Sequence, residues 1–216
     1  KFFFGLISLS RFALSIGLLD RPITLGLFIG LITGNWSLVL GVAVFFELLW
    51  IDKFNAGTYI PPHKMIATFV TILLALDLEL YRAGQVLPIL FLTIPLAFLG
   101  SKLESWQRIL QNRSYDKLLS WSKSNLDLFQ PKHLIKNSLL QIFLMNSVLF
   151  LCSFVSIKYL YAYIRPFWPL YIEGFSWNYL WMVALLGGLL SLRKKSLYQY
   201  LILCGGLLCL GVWLAG

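Results

Sequence analysis

Residues 18–63 read LLDRPITLGLFIGLITGNWSLVLGVAVFFELLWIDKFNAGTYIPPH. The stretch is apolar enough to enter a bilayer. Yet it carries Asp20 and Arg21, glycines at positions 26, 30, 34 and 41, a lone Glu47, and an irregular Asn55-Ala56-Gly57 turn closed by Pro61-Pro62. A carboxylate and a broken backbone at membrane depth are costly unless they line a site. A lipid-facing anchor needs neither, so the stretch reads as the core of a transport pathway. Two apolar blocks, residues 22–34 and 36–50, meet at Gly34-Asn35. At 1.5 Å per residue each is about 20–22 Å long, short of the roughly 20 residues a full crossing takes. Two half-length helices joined by a turn predict a re-entrant helical hairpin over 22–50, entering and leaving on one side. Two tilted, complete helices are the alternative.

The rest of the chain fits that setting. Of 216 residues, 59% are hydrophobic and 12% charged, with a mean hydropathy of +0.78; soluble domains are nearer a quarter charged. The apolar residues fall in long blocks and lack the ten-residue alternation of a membrane β-barrel. The expected fold is therefore an all-α polytopic membrane protein, a single membrane domain over 1–216 with six to eight membrane segments. The net charge of +9 sits between the apolar blocks, where it sets orientation and meets anionic lipid headgroups, a layout that argues against nucleic acid as a partner. Cys152, Cys204 and Cys209 lie in apolar runs without metal-ligand spacing and read as packing residues.

Outward from the hairpin, residues 2–19 read as a first membrane helix interrupted by Arg11, with an incomplete or processed start. Residues 51–63 are an irregular connection, and 65–80 and 84–100 are two further apolar blocks around Tyr81-Arg82. Residues 101–137 carry seven Lys/Arg against three acids, with Leu103, Trp106, Leu110, Leu118, Leu119 and Trp121 at roughly helical spacing. This reads as a basic amphipathic cytoplasmic segment on the membrane surface. Residues 138–156 cross again, 157–176 form an aromatic and proline-rich loop, and 177–192 and 197–214 are the last two blocks, flanking Arg193-Lys194-Lys195. The basic segments belong on the cytoplasmic side, which places 51–63 inside and Tyr81-Arg82 outside.

Glu47 has no basic residue within four positions. A buried carboxylate must be paired, protonated or bound to a polar ligand; a structural hydrogen bond and a substrate contact both satisfy this. Asn55, Gly57 and Thr58 offer an amide, a permissive backbone and a hydroxyl, and Pro61-Pro62 fixes the chain as extended after them. Such groups near a carboxylate suit sugar hydroxyls, which donate and accept; an ordinary loop is the other reading. Gly26, Gly30 and Gly34 repeat every four residues and form a small-residue packing face. His63 and His133 have no second metal ligand at useful spacing, and no nucleophile–base pair is evident. No cofactor or metal is expected. Asp77 and Glu79 end an apolar block and reach an interface.

The ordered set Asp20-Arg21-Pro22, glycine-spaced hairpin, Glu47, Asn55-x-Gly57 and Pro61-Pro62, followed by Ile94-Pro95-Leu96-Ala97 and Gly100, resembles the membrane subunit enzyme IIC of the mannose–fructose–sorbose family of bacterial sugar phosphotransferase systems. The resemblance covers residues 18–104 well and 132–200 thinly. It implies a multi-pass permease subunit of the bacterial cytoplasmic (inner) membrane that binds and translocates a hexose-type sugar and is not itself phosphorylated. It also implies cytoplasmic IIA and IIB partners, a IID membrane partner and a trimer of IIC–IID pairs. Glu47, Asn55, Gly57, Thr58 and His63 would form the substrate-binding set, with Asp20, Arg21 and Pro62 supporting it.

Three features depart from the family pattern: His63 in place of an Asp after the prolines, Phe45 and Phe46 before the carboxylate, and Trp177, Tyr179, Leu180 and Trp181 in a glycine-rich region. They motivate the alternative of a divergent IIC-like membrane protein with a regulatory or assembly role and no transport.

Overall fold

The computed structural model describes residues 21–53, 59–124, 131–167 and 175–192. Among these residues the fold is helical with no strand: α1 (Pro22–Thr33), α2 (Trp36–Leu49), α3 (Lys64–Asp77), α4 (Ala83–Ser124), α5 (Pro131–Ile164), a 3₁₀ turn (Arg165–Phe167) and α6 (Trp177–Ser191). The first membrane block expected over residues 2–19, and the last over 197–214, lie outside the described residues.

The hairpin forms where the sequence punctuates it. Pro22 occupies the first turn of α1, where its missing N–H costs nothing. Gly34 ends α1 at φ 72°, and its N–H donates to the Gly30 carbonyl at 2.8 Å; a left-handed turn of this kind is what glycine permits. Gly34 has nothing within 4 Å of a would-be Cβ, so it serves the turn rather than the packing face. Gly26 does pack: a Cβ there would lie 2.7 Å from that of Ala43, which brings α1 and α2 close together. With 12 and 14 residues, the two helices are about 18 and 21 Å long.

α2 is the hub. It packs against α1, α3, α4 and α6 and buries Leu38, Val39, Val42, Ala43, Phe45, Phe46 and Glu47. Phe46 stacks on Trp50 at 5.3 Å, and Trp50 meets Phe98 of α4 edge-on. α3 is buried along most of its length. It is joined to α4 by a fully buried Thr71–Thr93 hydroxyl pair at 2.8 Å and to α5 by an edge-on Phe69–Phe150 contact at 5.1 Å. In an apolar solvent, close packing and interhelical hydrogen bonds of this kind replace water exclusion as the force holding helices together.

Two differences from the sequence reading concern helix length. The chain does not break at residue 100: α4 continues through Gly100 for 42 residues in all, about 63 Å. Pro88 and Pro95 lie inside it without ending it, as membrane helices tolerate. Likewise α5 extends through Ile164, into the stretch read as a loop, because no glycine or proline interrupts it before Pro166. Ala83–Asn112 and Leu140–Ile164 are long and apolar enough to cross a membrane, while α1, α2 and α6 are shorter apolar helices. Cys152, read as a packing residue, is exposed on α5. Asp77 pairs with Lys158 of α5 at 2.6 Å with both side chains partly exposed, in keeping with an interfacial position.

α6 runs parallel to α2. Its first turn places Trp177 against Gly41, and Trp181 Nε1 donates to the Gly41 carbonyl at 3.0 Å. Further along, Gly188 meets the Leu48 carbonyl and Ser191 reaches Asp52. The bundle thus has two ends. One, the base, gathers Arg21, Glu47, Trp50, Asp52, Lys64 and Ser191. The other, the tip, holds the Gly34-Asn35 and Tyr81-Arg82 turns.

Candidate functional site

The base of the hairpin concentrates charge. Glu47 lies in the last turn of α2 with its side chain 8% exposed, and its Oε1 accepts a 2.7 Å bond from Arg21 Nη1. Arg21 precedes α1, so this pair closes the open end of the hairpin across 26 residues of sequence. Its guanidinium is 48% exposed and so remains in contact with the surroundings. Glu47 Oε2 is buried and has no hydrogen-bond partner among the described residues. An unsatisfied buried acceptor costs on the order of 1–3 kcal/mol, so a hydroxyl donor gains at this oxygen, as it would at Asp52 Oδ1, the other carboxylate oxygen of the base that is buried and unpartnered among the described residues.

Lys64, the first residue of α3, donates from Nζ to the Trp50 carbonyl at 2.7 Å. Its ammonium also lies within electrostatic reach of Glu47, Arg21 and Asp52. With three N–H groups on that nitrogen, two remain for other acceptors. Beside it, Asp52 Oδ2 accepts from Ser191 Oγ at 2.8 Å and pairs with Lys53 Nζ at 2.8 Å, while Lys53 Nζ reaches Ser191 Oγ at 2.7 Å. This clasp ties the α2–α3 connection to the end of α6. Burial opposes ionisation of Asp52, but the hydrogen bonds from Lys53 and Ser191, with the Lys53 charge, outweigh it. The carboxyl is held below its ordinary range.

His63 stands at the start of α3. Its Nδ1 accepts from the Ile66 N–H at 3.4 Å, and its backbone N–H donates to the Ala97 carbonyl at 2.9 Å. The side chain is buried against Gly100, where a Cβ would come within 2.8 Å of that of His63. Pro62 is buried just before it. Of the residues singled out from sequence, Arg21, Glu47, Pro62 and His63 are placed at the base. Asp20, Asn55, Gly57 and Thr58 lie outside the described residues.

The arrangement offers acceptors and donors for a polyhydroxy ligand. The sequence model of the family described as PTS system sorbose-specific IIC component matches residues 2–185. The chain belongs to that family. No curated protein and no solved structure matches it significantly. As a IIC component, the chain is a membrane protein and part of a sugar phosphotransferase system, working with other components of that system and a sugar.

The sequence reading of this IIC component missed Lys64, the Trp50 carbonyl and the Asp52–Lys53–Ser191 clasp. A charge balance over residues 20–64 would have pointed to Lys64. Three acids, Asp20, Glu47 and Asp52, sit with three cations, Arg21, Lys53 and Lys64, in an otherwise apolar region, and Lys64 is the cation that evens the count. Nothing in the sequence brings Ser191 to that cluster.

Proposed function

We propose that this IIC component is the sugar-binding permease subunit of a phosphoenolpyruvate-dependent phosphotransferase system. It takes a hexose-type sugar of the mannose class through the membrane to a cytoplasmic IIB subunit, which phosphorylates it. The observation that carries the reading is Glu47: one oxygen held by Arg21, the other buried and unpartnered among the described residues, at the base of a hairpin in a chain of this family. Its free oxygen accepts from a sugar hydroxyl, and Lys64 donates to a neighbouring one. Asn55, Gly57, Thr58 and His63 complete the contacts, and Asp20, Arg21 and Pro62 hold them in place.

The charge layout supports an orientation. The base and the polar half of α4 carry Arg21, Lys53, Lys64, Lys102 and Arg108, against Arg82, Lys158 and Arg165 towards the tip. By the positive-inside rule the base is cytoplasmic. The hairpin is re-entrant on this reading: its helices fall short of the about 30 Å hydrocarbon core, so its turn stops within the membrane and opens towards the outside beside Tyr81. The protein lies in the bacterial inner membrane as a multi-pass chain. The exposed apolar stripe Leu140, Leu144, Val148, Leu151 and Val155 on α5 is available to lipid or to a IID subunit, with IIC–IID pairs assembling as a trimer.

Titration of mannose into the purified complex tests the site. Binding that Glu47→Gln weakens by about tenfold or more, as for a lost hydrogen bond to a charged group, supports it. Equal affinity in wild type and variant would remove Glu47 from the site.

A further inference from the structure

The tip of the bundle, opposite Glu47, holds a concave surface. A cleft of about 330 Å³ is lined by Gly34, Asn35, Trp36, Ser37, Leu38 and Tyr81. Two turns build it, the α1–α2 turn at Gly34-Asn35 and the α3–α4 turn at Tyr81. Asn35 occupies the position before α2, yet its side chain does not cap the helix. Its carbonyl and NH₂ therefore keep both halves of their hydrogen-bonding capacity. Trp36 is braced against Gly30, where a Cβ would lie 2.8 Å from the ring, while 41% of the residue stays exposed. Tyr81, 48% exposed, stands in the other turn. Ser37 is exposed and Leu38 is buried.

The size and chemistry of the cleft select a ligand class. Small-molecule sites begin at about 300 Å³, the scale of one monosaccharide. Two aromatic rings offer apolar faces to sugar C–H groups, and an amide with two hydroxyls offers donors and acceptors together. No charged side chain lines the cleft among the described residues, which favours a neutral ligand over an anionic one. Glu47 lies twelve positions beyond Asn35, about 18 Å along the helix, so one sugar cannot touch both.

We infer that this cleft is an outer subsite that captures a neutral monosaccharide before it reaches the Glu47 region. The inference rests on the permease reading and its orientation, which puts the tip outside. A capture site acts on the apparent affinity of uptake and leaves the later steps alone.

The experiment measures mannose uptake kinetics in membranes carrying the full complex, comparing wild type with Asn35→Ala and Tyr81→Ala. Trp36 is left in place because it also packs on Gly30. The expected result is a rise in KM of about three- to tenfold, the scale of one neutral hydrogen bond, with the maximal rate within about twofold. A second readout does not depend on turnover. The thiol introduced by Ser37→Cys should react with a membrane-impermeant reagent added outside, above the blank set by the native cysteines, and mannose should slow that reaction. Unchanged KM in both variants of an active complex would overturn the inference. So would an introduced thiol that reacts only from the cytoplasmic side or is not slowed by mannose. Absence of wild-type uptake, with all partners present, would instead defeat the permease reading, and the subsite with it.

Discussion

Gly187 and Gly188 are adjacent on α6 but meet α2 very differently, and alanine at each gives opposite results. A Cβ on Gly188 would stand 2.4 Å from the Leu48 carbonyl oxygen and 3.4 Å from that of Leu49. Contacts closer than 3.0 Å are essentially never formed, so α6 and α2 must part by about 0.6 Å or more. The obstacle is backbone and cannot rotate aside. Overpacking of this kind costs about 1–3 kcal/mol. At about 2–4 °C per kcal/mol for a chain of this size, Gly188→Ala should lower the unfolding midpoint in detergent by about 2–12 °C. Gly187→Ala meets only the end of the Leu49 side chain, at 3.4 Å, and gains about 1 kcal/mol of helix propensity. Its midpoint should equal or exceed that of wild type. Thermal denaturation followed by size-exclusion of the surviving fraction reads both. Equal loss in the two variants, or no loss in Gly188→Ala, would refute the α2–α6 packing.

Arg21→Met leaves Glu47 buried without its cation and should cost about 1–3 kcal/mol. Adding Glu47→Gln should recover part of this, so a double-mutant cycle on midpoints returns a coupling of about 0.5–3 kcal/mol, whereas strict additivity would contradict the pair. Thr71→Val removes one side of the buried Thr71–Thr93 pair and should cost about 1 kcal/mol, with Thr71→Val/Thr93→Val no worse than the single variant; a twofold greater loss in the double variant would count against that contact. Asp52 is held below its ordinary pKa, so its stabilisation is complete above the unfolded value of 3.8 and fades as pH falls through the lower folded value. Midpoints measured downward from about pH 5 should show an acid step below about pH 4 that Asp52→Asn reduces, and an identical profile in that variant would rule the clasp out.

The hairpin was legible because its boundaries are written in residues with fixed backbone habits: Pro22 at the start and Gly34-Asn35 at the turn. Glu47 was legible as a residue needing a partner, but the partner was not, since Arg21 is brought to it only by the closing of the hairpin. The continuity of α4 was hidden by composition. At Ser101 the sequence turns from apolar to polar, yet Lys, Glu, Gln, Arg and Leu are all good helix formers, so the change marks a new environment and not a helix end. The bulky residues of α6 looked out of place in a glycine-rich family region. Trp177 fills the space left by Gly41 and Trp181 donates to its carbonyl, a pairing between positions more than 130 residues apart that a single sequence does not display. Asn55, Gly57 and Thr58 lie outside the described residues and stand on the sequence reading alone.

Phosphorylation-coupled sugar uptake tests the central claim most directly. Membranes would carry this chain with the proposed IID, IIB and IIA partners, and wild type would be compared with Glu47→Gln and Asn55→Ala at matched assembly. The account predicts that wild type accumulates a phosphorylated hexose and that both substitutions abolish uptake while the complex stays assembled. Uptake that persists undiminished in Glu47→Gln, or a well-assembled wild type that moves no hexose, would contradict it.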